Sequence, residues 1–231
     1  MIQRLTFLCV LALLVAPRLR AESVGVYVPF IGDIRVIQNA FKNDPAFRGK
    51  TVTVFSKFKD FKGMSKISKF DFAILPSSYG RYYKDYVAIG QLKKGDVPDQ
   101  KYLLLSLKNK ISIKNLAKGT VGLVDEVGRR KTKSLIKDLF AGSVFKQIKR
   151  VNKPVDLFPM LVLGNADFII ISQRNLANVK ESKAYTIDSS EAVSLPQIYR
   201  RQGTKSSQDW LTKIKRETLM TLDFSEVEVF K

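Results

Sequence analysis

The chain has 231 residues, 45% of them hydrophobic, which is enough for one large domain or two small ones. It carries 40 basic and 21 acidic residues for a net charge of +19, with no histidine and one cysteine, Cys9. Metal sites built on imidazole and catalytic devices that use His are therefore excluded, and Cys9 has no partner for a disulfide within the chain.

The first 21 residues, MIQRLTFLCVLALLVAPRLRA, stand apart from the rest. Arg4 is followed by an apolar run from Leu5 to Ala16, and Ala21 precedes a polar stretch. That is the layout of a secretory signal peptide, with the cut expected near Ala21 and the product in the periplasm. A run of about twelve apolar residues is too short to span about 30 Å of hydrocarbon. Cys9 leaves with this segment, which removes thiolate chemistry too; Leu8 stands where a lipid-attachment site would want a small residue. Arg4, Arg18 and Arg20 also lie in it, so the remainder carries +16. A field of that size attracts an anionic solute, an acidic protein or an anionic lipid surface. Nucleic acid is not an expected partner of an exported chain.

Beyond the signal, short apolar runs alternate with helical patterns. SVGVYVPF reads as a strand, and GDIRVIQNAFK as a helix with Ile34, Ile37 and Phe41 on one side and Gly32-Asp33 as its cap. KTVTVFS is a strand by its β-branched content, and DFAIL another, closed by Pro76 and followed by Ser77-Ser78 at a helix start. YVAIGQL and KYLLLSL are strands on either side of the turn KKGDVPDQ. A second cycle follows. KGTVGLVDE is a strand, GRRKTKSLIKDLF a helix with Leu135, Ile136 and Leu139 on one side, and FKQIKRV a strand. PVDLFPMLVLG is a helix opening at Pro154, and ADFIIIS is a buried strand. Alternation of this kind predicts parallel strands joined by crossover helices.

One phrase occurs twice. FDFAILPSSYGR and NADFIIISQR each place Asp-Phe before three apolar residues, a small polar residue and an Arg. GKTVTVFS precedes the first as KGTVGLVDE precedes the second, so the chain reads as two α/β lobes of related plan. An apolar run after Asp-Phe suits a central strand covered on both faces. Its polar end, Ser77-Ser78 or Ser172-Gln173, then lies at the carboxyl edge of the sheet, where open α/β sheets bind ligands. The Asp is expected to turn or cap the chain at the strand's start.

These residues resemble a known family. SIKNLAKGTVGLV (Ser112 to Val124) and MLVLGNADFIIIS (Met160 to Ser172) are similar to segments of the second lobe of type II periplasmic solute-binding proteins. FDFAILPSSYGRYY followed by YLLLSLKNKISIKNL most resembles the phosphate/phosphonate-binding branch. The resemblance implies two lobes, each a mostly parallel sheet flanked by helices, joined by a two-strand hinge and closing on a ligand. It puts the crossings near Leu103–Leu107 and Tyr185–Ser189, with residues 22–104 and 187–231 as lobe 1 and 105–186 as lobe 2. SSQDWLTKIKRETLMTL would return to lobe 1 as one helix, capped by Ser206 or Ser207 and burying Trp210, Leu211 and Ile214.

In such an architecture the solute sits on loops after strands and on helix starts, where exposed N–H groups favour anions. The candidates are Phe30 and Asp33 before the first helix, and Ser77, Ser78 and Tyr79 after DFAIL. In the second lobe they are Arg129, Arg130 and Thr132 in DEVGRRKT, and Ser172 and Arg174 after DFIII. Hydroxyls orient a polar ligand and an arginine pairs with a phosphate or carboxylate. The bland alternative makes Ser77, Ser78 and Thr132 helix caps and the arginines solvent-facing. DEVGRRK departs from the hydroxyl-and-glycine loop of the phosphonate branch, and Asp125-Glu126 would oppose a dianion. A zwitterion, or a larger apolar ligand lying on Phe30, Tyr79 and Phe158, stays open beside an anion.

No metal cluster, glycine-rich phosphate loop or nucleophile elbow is present, and Asp125 and Glu126, adjacent in sequence, point their side chains apart. The chain is expected to be neither an enzyme nor a cofactor binder. It reads as a monomeric solute-binding protein delivering a small anionic molecule to an inner-membrane ABC permease or a sensor. The alternative is the same fold repurposed as a basic interaction module docking on an anionic envelope component or acidic protein.

Overall fold

The computed structural model describes residues 21–29, 32–97, 99–108, 116–176 and 184–230. The expected signal segment up to Arg20, and Phe30, lie outside the described residues.

In chain order, β1 (Glu22–Val26), α1 (Ile34–Asn43), β2 (Lys50–Val54), α2 (Phe58–Ser68), β3 (Phe72–Leu75), α3 (Ser78–Tyr82) and β4 (Tyr86–Lys93) open the molecule. The two-residue strand β5 (Asp99–Gln100) leads to β6 (Tyr102–Ser106), β7 (Thr120–Val124), α4 (Arg129–Leu139) and β8 (Gln147–Val151). Next come α5 (Leu157–Val162), β9 (Phe168–Ser172), α6 (Gln173–Leu176) and β10 (Tyr185–Ser189). A second short strand, β11 (Val193–Ser194), returns the chain to β12 (Gln197–Arg201), α7 (Arg216–Met220) and β13 (Glu226–Val229).

Six strands form one sheet in the order β13-β4-β12-β3-β1-β2, and five form another in the order β10-β6-β9-β7-β8. The parallel pairings are β2-β1-β3 in the first and β8-β7-β9 in the second. Antiparallel strands complete each sheet, so both are mixed rather than mostly parallel. The reason is connectivity: β6 and β12 each enter from the other lobe, β13 comes from the C-terminal stretch, and β4 and β10 pair antiparallel with these strands.

The twin phrases are β3 and β9, each inside its sheet and buried on both faces. In lobe 1, Phe72 and Ile74 face a core with Val24, Ile37, Phe41 and Trp210, while Ala73 and Leu75 face an aromatic core with Tyr27, Phe58 and Phe61. In lobe 2, Phe168 and Ile170 pack with Leu135, Ile136 and Leu139 of α4, and Ile169 and Ile171 with Leu157 and Leu161 of α5. Both Asp residues clasp the neighbouring parallel strand. The Asp71 carboxylate accepts the Ser23 N–H at 3.0 Å and that of Asp167 accepts the Thr120 N–H at 2.8 Å. Their own N–H groups donate to the carbonyls of the same two residues, both at 2.9 Å. The repeated phrase is thus a strand together with the stitch that sets its register.

Gly25, in the middle of β1, is required by a close approach. A Cβ there would lie 2.7 Å from the Phe70 ring and 2.9 Å from that of Phe61, a stacked pair that covers the strand.

Two expectations are corrected. The segments placed at the crossings, 103–107 and 185–189, belong mostly to β6 and β10, which pair with each other in the second sheet. Between the sheets lie β5 and β11, paired antiparallel over only two residues each, too short to carry a hydrophobic period. β4 and β6, read on either side of one turn, accordingly go to different sheets. The C-terminal stretch is not one helix either. A 3-10 turn (Leu211–Lys213) precedes α7, and Ile214 between them is extended. The Lys215 N–H is drawn to the Asp44 carboxylate at 2.9 Å, which diverts the chain there. Trp210, Leu211 and Ile214 are buried as expected, and Asp33 caps α1 by accepting the Arg35 N–H at 2.8 Å.

Candidate functional site

The carboxyl ends of β3 and β9 face a seam between the lobes, and hydrogen bonds cross it. Tyr27 of lobe 1 donates to the Asp125 carbonyl at 2.6 Å, and Tyr83 to that of Val127 at 2.7 Å. Ser78, opening α3, donates to the Glu126 carboxylate at 3.3 Å, while Tyr102 donates to both oxygens of that carboxylate at 2.9 Å. From the other side Arg174 reaches back into lobe 1, donating to the carbonyls of Leu222 at 3.2 Å and Pro29 at 3.3 Å. Its guanidinium lies 4.4 Å from the centre of the Phe224 ring. Gly128, at φ 79° and ψ 158°, packs directly against Phe58.

Burial pushes the Glu126 carboxyl up to about 7, against the opposing pull of the hydrogen bonds from Tyr102 and Ser78 and of the Arg174 charge. Burial also draws the Arg174 guanidinium below the usual arginine range, with Asp223, Tyr102 and Glu126 opposing the shift. Around Glu126, Tyr102, Ser172 and Asn175 the space left is about 10 Å³, at the limit for one water. The polar cluster on the lobe 2 side of the seam is therefore closely packed.

Space opens beside it. A groove of about 660 Å³ runs between the lobes, walled by Lys59, Lys62 and Lys66 of α2 on one side and by Arg129, Arg130 and Arg150 on the other. Helical spacing turns Phe58 and Phe61 into the core and leaves the lysines outward. Among the described residues the one carboxylate in the lining, Asp125, is engaged by Arg150 at 2.7 Å and accepts the Gly128 N–H at 2.7 Å. Glu126 turns away into the seam, so the adjacent carboxylates point apart and leave the groove cationic. On the hinge side a smaller groove of about 330 Å³ carries Ser77, Ser78, Arg81, Asp138 and Glu191.

The candidate residues divide accordingly. Arg129 and Arg130 stand in the basic groove. Ser78 and Ser172 are buried, Ser78 donating to Glu126 and Ser172 lining the same small cavity as Glu126, its hydroxyl accepting the Asn175 N–H at 3.4 Å. Ser77 begins α3 without capping it, and its hydroxyl donates to the Ser194 carbonyl in the hinge strand. Thr132 bonds within its helix, to the Gly128 carbonyl at 3.0 Å. Tyr79 is 4% exposed and stacked on Tyr83. Asp33 is an exposed cap paired with Arg35. An aromatic floor does not form, because Tyr79 and Phe158 pack in the cores of different lobes. Glu126, Tyr102 and the α2 lysines were missed. The lysine spacing at 59, 62 and 66 was the available signal for the groove wall.

Among the described residues no group of carboxylates, histidines or cysteines could hold a metal ion, and no helix is long and apolar enough to cross a membrane. No protein-family model matches the chain, and no curated protein matches it. Similarity lies in the fold. The Xanthomonas citri protein XAC2383, solved bound to ATP, superposes with a TM-score of 0.69 at 10% identity over 92% of both chains. The binding-protein component of an ABC phosphonate transporter from Pseudomonas aeruginosa also gives 0.69, at 14% identity over 90% of this chain and 81% of that one. The substrate-binding protein of an amino acid ABC transporter gives 0.53 at 15% identity, over 87% of this chain and 89% of that one. The chain has the two-lobed α/β fold of type II periplasmic binding proteins.

Proposed function

We propose that this is an exported, periplasmic solute-binding protein. It takes a small anionic molecule of the phosphate or phosphonate kind between its lobes and hands it to an ABC transporter or a sensor. The observation that carries this reading is the interlobe groove with lysines from one lobe and arginines from the other. An anion there gains partners on both walls only when the lobes are together, so binding favours the closed arrangement. The arginines supply bidentate geometry and the lysines point charges. No catalysis is assigned: the titratable groups at the seam are engaged in holding the lobes.

The test is a thermal-shift and calorimetric screen of residues 22–231 with phosphate, phosphonates, carboxylates and amino acids. A true ligand at a hundredfold its dissociation constant adds about 2.7 kcal/mol of stability. Phosphate-class binding that Arg129→Ala and Lys62→Ala abolish is the expected result; a flat response to every class sinks the reading. A second reading, a basic interaction module, is favoured by the seam's polar groups being engaged with one another, with Glu126 taken up by Ser78 and Tyr102. It expects no solute response and binding to anionic vesicles that fades steeply with salt.

A further inference from the structure

Lys59, Lys62 and Lys66 lie on one stripe of α2, and Lys69 continues it just past the helix end. At helical spacing the four fall within an arc of roughly 80° and extend about 15 Å along the axis. The basic groove does not stop at the seam. Lys62 and Lys66 also wall a second depression, of about 470 Å³, that lies on lobe 1 alone and adds Lys69 and Arg201. Cationic surface therefore runs unbroken from Arg129 and Arg130 across α2. Among the described residues carboxylates line the two depressions only through Asp125, taken by Arg150, and Asp85, while Arg201 is held by Asp71 at 3.0 Å. Among the described residues Lys59, Lys62, Lys66, Lys69, Arg129 and Arg130 form no ion pair. That is more cationic length than one phosphate group can engage.

Two further observations narrow the ligand. Lys69 sits at φ 44°, in the left-handed region where glycine closes a helix without strain, so a strained lysine lines the groove where an easier residue would serve. The rings in the two linings offer no stacking platform. Tyr83 has Tyr79 stacked on it at 4.5 Å and the Lys62 ammonium 4.5 Å from its ring centre, while Phe58, Tyr79 and Tyr86 are buried. A surface that reads charge along a line and has no open ring for a base suits a bare chain of phosphates.

We propose that the groove binds a linear oligophosphate, tripolyphosphate or longer, laid along α2 with one end held between the lobes by Arg129 and Arg130. This deepens the small-anion reading of the groove and rests on it.

The experiment is calorimetric titration of residues 22–231 with orthophosphate, pyrophosphate and tripolyphosphate at roughly 150 mM salt. Affinity is expected to rise about tenfold or more from orthophosphate to tripolyphosphate, as each further phosphate is held at high effective concentration. Lys69 lies outside the interlobe groove, so Lys69→Gly weakens tripolyphosphate about threefold and leaves orthophosphate unchanged. Lys69→Gly also raises the melting temperature by relieving the left-handed lysine, which separates lost binding from lost folding. Lys42→Gln, the same charge change on α1, leaves both ligands unaffected; an equal loss there means diffuse attraction and overturns the proposal. Orthophosphate bound as tightly as tripolyphosphate overturns the oligophosphate and leaves the small-anion reading standing, whereas binding of neither overturns both. Binding to anionic phospholipid vesicles that tripolyphosphate does not displace also overturns it, in favour of a membrane surface.

Discussion

Gly128 of lobe 2 lies so close to Phe58 of lobe 1 that a Cβ on the glycine would stand 2.9 Å from the ring. Its positive φ, 79°, adds strain for any side chain. Gly128→Ala is expected to cost about 2–3 kcal/mol in urea unfolding and to enlarge the molecule in small-angle scattering. Phe58→Leu in the same background should recover part of the compactness, since it trims the ring the methyl meets. Loss of stability with unchanged dimensions would mean backbone strain alone, and the packing argument would fail.

Glu126 predicts a pH dependence. Its carboxyl is raised by burial from 4.5 in the unfolded chain to about 7, so the folded state binds the proton more tightly. The stabilisation is fully present below about pH 4.5 and is lost as pH rises through about 7. The lost stability is on the order of 3 kcal/mol. Glu126→Gln should flatten that slope in denaturant melts between pH 5 and 8 while keeping the Tyr102 contact. A slope that persists in the variant assigns the proton elsewhere.

The paired aspartates should differ in weight. Asp71 is part-buried, accepts from Ser23 and holds Arg201 at 3.0 Å, whereas Asp167 is exposed and grips Thr120. Asp71→Ala is expected to lower stability by about 2 kcal/mol and Asp167→Ala by about 1 kcal/mol. Equal losses, read from urea midpoints, would contradict the account.

Arg174 ties the lobes through two carbonyls and a ring face, and its Nε is buried without a partner among the described residues. Arg174→Ala should cost about 3 kcal/mol and loosen the seam in scattering, and Arg174→Lys should not rescue it, because an ammonium cannot replace the planar fork. Full rescue by lysine would reduce the residue to a charge.

The α/β plan was legible because β3 and β9 bury both faces and so write apolar runs that no surface element would tolerate. The faces of α1 and α4 were legible for the same reason, with Ile37 and Phe41, or Leu135, Ile136 and Leu139, at helical spacing. The hinge was not, since two residues per strand leave no period to read. Nor was the break in the C-terminal stretch, which depends on Asp44, 171 residues away along the chain from Lys215. In the site, Arg129 and Arg130 could be anticipated from the loop before α4. Glu126 could not, because its neighbour Asp125 looks the same in sequence and only the partners Tyr102 and Ser78 set them apart.

β12 is inserted between β3 and β4, and β13 lies beyond β4, so the first sheet is assembled from both ends of the chain. The second draws only on strands between Tyr102 and Ser189. One half of the molecule can therefore zip up from a contiguous stretch, while the other waits for segments as far apart as Asp71 and Arg201, 130 positions along the chain. During synthesis the half that needs β12 and β13 is the last to close.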